Sequence, residues 1–159
     1  MRRITSLVTV AALALFTASL AAQANFAGKW TMDPASAPAG GGGGRGGRGM
    51  LGEELTITQD ASTLTLEYQG GGQNPAPVKL VYKLDGSESK NMTMGRGGQQ
   101  EQVSKAAWAG ESLVVTTTTG FGELKRTFSL QGGNLVVETS APGRDGGPGM
   151  TNKAVYKKS

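Results

Sequence analysis

Residues 53–69 read EELTITQDASTLTLEYQ. Leu55 and Ile57 alternate with Thr56 and Thr58; after Asp60-Ala61-Ser62 the alternation resumes, Leu64, Leu66 and Tyr68 against Thr63, Thr65 and Glu67. Successive side chains of a strand point to opposite faces, so a period of two in β-branched and apolar residues predicts two half-buried strands. The short polar segment between them, with an aspartate that can bond its own backbone, predicts a tight hairpin. One face of this hairpin is dry and the other wet.

The same pattern recurs about every ten residues, and no stretch repeats at 3.6. Ten strands are predicted: Phe26–Met32, Glu53–Gln59, Ser62–Gln69, Pro77–Leu84, Lys90–Met94, Gln99–Trp108, Ser112–Thr119, Glu123–Gln131, Asn134–Ser140 and Thr151–Lys157. Their connections alternate in kind. Asp60-Ala61, Asp85-Gly86, Ala109-Gly110 and Gly132-Gly133 are tight turns, whereas Gly40–Gly49, Gly70–Pro75, Gly95–Gly98, Gly120–Gly122 and Pro142–Gly149 are glycine-rich. In an antiparallel meander alternate connections fall at opposite ends of the sheet. The glycine loops therefore gather at one rim, together with Arg45, Arg48, Arg96 and Arg144. The expected fold is all-β: a single up-and-down antiparallel barrel of about ten strands.

Arg2 and Arg3 precede an apolar run from Leu7 to Leu20, and Ala22-Gln23-Ala24 has the small-x-small form of a cleavage site. Residues 1–24 are read as a signal peptide and residues 25–159 as one barrel domain, exported to the periplasm or beyond, with no membrane anchor after cleavage. Residues 35–50, rich in Gly, Arg and Pro, read as a low-complexity loop without helix. Cleavage removes two of the 16 basic residues and none of the 12 acidic ones, so the formal charge falls from +4 to +2. A charge this small gives no reason to expect nucleic acid as a partner. Cysteine is absent, so an exported core must hold without disulfides.

The dry faces name the interior. After Leu55 and Ile57 come Val78, Leu80, Tyr82 and Leu84 on the fourth strand, and Leu124, Phe128 and Leu130 on the eighth. Arg126 lies on that eighth apolar face, and a guanidinium in an interior is costly unless it is met by other polar groups. Two readings follow. In one, Arg126 receives a ligand carboxylate, sulfate or phosphate through its planar fork; in the other it is satisfied inside the fold or against an aromatic ring. Tyr68, Tyr82, Tyr156, Trp30 and Trp108 are expected to share that interior, either as a cavity wall or as core filling.

Phe26, Gly28 and Trp30 stand in the order F-x-G-x-W at the start of the first strand. Residues 108–115 read WAGESLVV and residues 154–158 read AVYKK. In these motifs the chain resembles the lipocalin and fatty-acid-binding-protein group of barrels, with their G-x-W first strand, W-x-G-x-x-L hairpin and closing V-Y-x-K strand. It is also similar to small secreted bacterial proteins of unassigned function. The group's fold implies a barrel around a cavity for an apolar or amphipathic molecule, without catalysis. Two positions depart from the group: a Pro/Gly/Arg segment stands where it carries a helical pair, and Ala154 stands where it carries an arginine two residues before the closing tyrosine.

The chain has no histidine and no cysteine, which removes the commonest bases, thiol nucleophiles and soft metal ligands. Glu53, Glu54, Glu67, Glu101, Glu111, Glu123 and Glu138 read as strand ends, turns and wet faces, so no catalytic residue is assigned. No cofactor or metal is expected. Two functions remain open: a carrier of a small amphipathic anion, with Arg126, Tyr68, Tyr82, Trp108 and Tyr156 around it, or a filled barrel whose basic rim binds an acidic polysaccharide, envelope polymer or protein.

Overall fold

The computed structural model describes residues 23–37, 50–71, 76–95, 98–120, 122–143 and 149–159. Ten strands follow one another as β1 (Gly28–Met32), β2 (Glu54–Gln59), β3 (Thr63–Gln69), β4 (Pro77–Lys83), β5 (Glu88–Gly95), β6 (Gly98–Ala109), β7 (Ser112–Thr119), β8 (Gly122–Gln131), β9 (Asn134–Ala141) and β10 (Met150–Lys158). All pairings are antiparallel, in the order β4-β3-β2-β1-β10-β9-β8-β7-β6-β5. The predicted all-β meander is the fold, and its strands lie within two residues of the predicted ones. The first and last strands pair with each other, which leaves one interruption in the ring, between β4 and β5.

That seam is bridged by side chains. Asn91 on β5 accepts a hydrogen bond from the Val81 amide at 2.7 Å and donates to the Val81 carbonyl at 3.0 Å. Two residues away Ser89 accepts from the Lys83 amide at 2.8 Å. A side-chain amide carries the same donor and acceptor as a peptide, so Asn91 stands in for a missing ladder residue. The seam is thereby sealed without a backbone ladder.

The tight turns lie at one end, as the alternation of connections predicts. Gly132 and Gly133 take φ of 58° and 83° between β8 and β9, the two positive values that a two-residue turn matched to strand twist requires. At this end the base is closed by the segment ahead of β1. Gln59 accepts from the Phe26 amide at 2.9 Å and donates to the Ala24 carbonyl at 2.9 Å, which holds Phe26 in the core, fully buried. Its ring stacks on Trp108 at 5.9 Å and tilts against Phe128 at 6.2 Å. Phe26 is thus core but not strand, since β1 begins at Gly28.

Outside the barrel, opposed charges face one another: Lys79 and Glu67 at 3.0 Å, Lys105 and Glu88 at 3.5 Å, Lys153 and Glu138 at 3.9 Å, each pair directly across a ladder. The seven glutamates weighed as catalytic candidates are all exposed. Two expectations are corrected. Leu130 shares the parity of Phe128 but is 40% exposed, because it sits at the strand end beyond the barrel base. Residues 34–36, partly inside the stretch read as helix-free, form one 3-10 turn, started by Pro34 and capped by Asp33. Residues 38–49 of that stretch, and residues 1–22 of the expected signal peptide, lie outside the described residues. Among the described residues no helix is long and apolar enough to cross a membrane.

Candidate functional site: an arginine among three tyrosines

Arg126 points inward from the middle of β8 and is 7% exposed. Its ladder neighbours are Val115 on β7 and Thr139 on β9, both buried. Tyr82, from β4 across the barrel, is hydrogen-bonded to it. The Arg126 charge also acts on Tyr68 of β3 and Tyr156 of β10. Tyr68 of β3, Tyr82 of β4 and Tyr156 of β10 thus share the barrel interior with Arg126, a placement that follows from inward parity on each strand.

Burial pushes all three phenols above their ordinary range, and the nearby Arg126 charge opposes that rise at each of them. The hydroxyls are neutral at physiological pH and keep their protons for donation. A guanidinium with neutral phenols around it offers charge-assisted and neutral donors together, the chemistry that receives an oxyanion. Tyr156 already uses its hydroxyl, donating to the Gly52 carbonyl at 3.1 Å.

A polar band accompanies Arg126 on the interior wall. Ser104 and Thr117 share a hydrogen bond of 2.8 Å between β6 and β7, Thr139 lies beside Arg126 on β9, and Asn152 faces Thr139 from β10. Polar side chains do not mark these positions as interior, although each has the parity of an inward neighbour: Thr117 follows Leu113 and Val115 by steps of two, as Thr139 follows Leu135 and Val137. An inward position filled by a hydroxyl was the available signal.

The four interior aromatics separate. Tyr82 and Tyr156 are fully buried, whereas Tyr68 and Trp108 are partly buried and pack against the core. Trp108 stands at the base, on Phe26, and its buried indole N–H has no hydrogen-bond partner among the described residues. A cleft of about 10 Å³, the room of roughly one water, lies between Met50 and Leu51 on one side and Thr139, Asn152 and Tyr156 on the other. Of the five residues predicted to surround a ligand, Tyr156 alone lines this cleft. Ala154, where the group resemblance places an arginine, lines it as well. The predicted rim residues Arg45, Arg48, Arg96 and Arg144 lie outside the described residues.

No family model and no curated protein sequence matches the chain. Solved structures do. The wild-type fluorescent protein UnaG superposes with a TM-score of 0.59 at 18% identity, over 84% of this chain and 97% of that one. A protein described as the REP1-NXSQ fatty acid transporter superposes with a TM-score of 0.55 at 11% identity, over 84% and 95%. The fold is calycin-type. Within this calycin-type barrel, identities so low establish the architecture alone, so what the interior receives has to be argued from Arg126 and its neighbours.

Proposed function

We propose that this protein is a non-catalytic binding protein that, once exported and freed of residues 1–24, holds a small amphipathic anion inside its barrel. The anionic head rests on Arg126 among the hydroxyls of Tyr68, Tyr82 and Tyr156, and the apolar part lies against the surrounding aliphatic core. The observation that carries this reading is the buried guanidinium on the inward face of β8, hydrogen-bonded to Tyr82 and sharing the interior with Tyr68 and Tyr156. Bidentate geometry and low local dielectric make such a group a strong receiver of a carboxylate, sulfate or phosphate. A superposable barrel described as a fatty acid transporter supports the same class of ligand.

The test compares two probes with one tail and opposite heads, octanoate and octylammonium, by native mass spectrometry of the mature chain. A one-to-one octanoate adduct that octylammonium does not form, and that Arg126→Met removes while near-ultraviolet circular dichroism keeps its native form, supports the reading. Equal adducts with both probes, or an octanoate adduct that survives Arg126→Met, would overturn it.

A further inference from the structure

We propose that residues 50–52 form an internal plug that occupies the ligand's place in the free protein and must leave before a ligand enters; this rests on the binding reading above. The segment enters β2 from the glycine-rich side of the barrel, yet Leu51 turns inward, is 7% exposed and belongs to the main apolar core. Together with Tyr156 and Thr139 it lines the one-water cleft, and Thr139 is the ladder neighbour of Arg126. An apolar side chain against a small void one ladder position from a buried cation is the arrangement that the tail of an amphipathic anion would reproduce.

The plug is held by two of the three interior tyrosines. Tyr156 donates to the Gly52 carbonyl at 3.1 Å, so one of the three phenols is engaged by the chain itself. Gly52 also lies against a second: a Cβ built there would fall 2.8 Å from the Gln69 carbonyl and 3.1 Å from the Tyr68 ring. Only glycine allows this close approach of the strap to β3. Lifting residues 50–52 would therefore release the Tyr156 hydroxyl, uncover the Tyr68 ring and vacate the volume of one leucine, all in a single movement. Next along the chain, Glu53 is fixed to β1, its carbonyl accepting from the Met32 amide at 2.7 Å, so the movement hinges between Gly52 and Glu53.

A self-occupied site weakens apparent affinity by the fraction of molecules that are open. The experiment follows the Leu51 methyl signals, assigned by through-bond correlation in the wild-type protein, by NMR while octanoate is added to the mature chain, with Leu51→Ala as a variant without the plug. The expected result is that the Leu51 methyls move from core-like to solvent-like shifts as octanoate saturates, and that Leu51→Ala binds octanoate on the order of tenfold more tightly. Leu135→Ala, at a still more deeply buried leucine at the base, should bring no such gain. Octanoate that binds in an Arg126-dependent way while the Leu51 methyls stay core-like would overturn the plug and leave the binding reading standing. Octanoate that fails to bind both the wild-type chain and Leu51→Ala would overturn both. Because the methyl shifts are read in the wild-type protein, the test survives a variant that does not fold.

Discussion

Replacing Asn91 by alanine should open the barrel at its one interrupted strand pair, and the size of the effect can be worked from the seam. Asn91 is 6% exposed and makes two hydrogen bonds to Val81, of 2.7 and 3.0 Å. Each such bond contributes about 0.5–1.5 kcal/mol net, so alanine should cost about 1–3 kcal/mol. With a urea m-value of about 2 kcal/mol/M, a 2 kcal/mol loss lowers the unfolding midpoint by roughly 1 M without changing the slope. Hydrogen exchange gives the local measure: the Val81 amide, protected only by the Asn91 side chain across the seam, should exchange much faster, while amides of the β8–β9 ladder change only by the global loss. Asn91→Asp sharpens the argument. Its carboxylate still accepts from the Val81 amide but opposes the Val81 carbonyl, and protonation restores the donor. The folded state then favours the neutral acid, so this variant's deficit relative to wild type should shrink as the pH falls through the carboxyl range. An Asn91→Ala protein with an unchanged midpoint and unchanged Val81 exchange would refute the reasoning and assign the seam to packing of Tyr82 and Leu84.

Phe26→Ala empties a fully buried site between Trp108 and Phe128 and should cost about 3–5 kcal/mol; urea unfolding followed by tryptophan fluorescence checks it, and a loss under about 1 kcal/mol would mean that Phe26 does not close the base. Stability should also fall at alkaline pH. Tyr68, Tyr82 and Tyr156 all have raised folded-state values, so their stabilising contribution is complete below the unfolded value near pH 10 and is lost as the pH rises above it, because the unfolded chain ionises first. The slope approaches about 1.4 kcal/mol per pH unit for each phenol still protonated in the fold. Urea midpoints measured alongside tyrosinate absorbance test this, and a midpoint that is flat through the titration would count against burial of the three hydroxyls.

Much of the barrel is legible in the sequence because its signals are local. Alternation such as Leu64-Thr65-Leu66 fixes which residues share a face, and turn residues such as Gly132-Gly133 fix where the chain reverses. The ends of strands are less legible, as Leu130 shows: parity says inward, but parity does not say how far the barrel extends. The seam was hidden for a different reason. Ser89 and Asn91 read as ordinary polar strand residues, and their role exists only because β4 and β5 stand too far apart to form a ladder, a distance that no local pattern encodes.

The site divides along the same line. Arg126 could be found because it breaks an apolar face within its own strand, and the inward parity of Tyr82 and Tyr156 could be read in the same way. That Tyr82 meets this arginine depends on barrel closure and stagger, which bring β3 and β4 across from β8, while β10 stands two strands along the same wall. The strap was illegible for the opposite reason: Met50-Leu51-Gly52 has no periodicity, and it borders a glycine-rich stretch whose composition speaks for solvent. Yet a core that is almost filled and a buried cation that suits an anion make opposing demands on one interior. A leucine supplied by the chain itself meets both, because it keeps the core packed while no ligand is bound and, lying outside any strand beside a Gly52 whose carbonyl is held by the Tyr156 hydroxyl, breaks no ladder pairing when it is withdrawn.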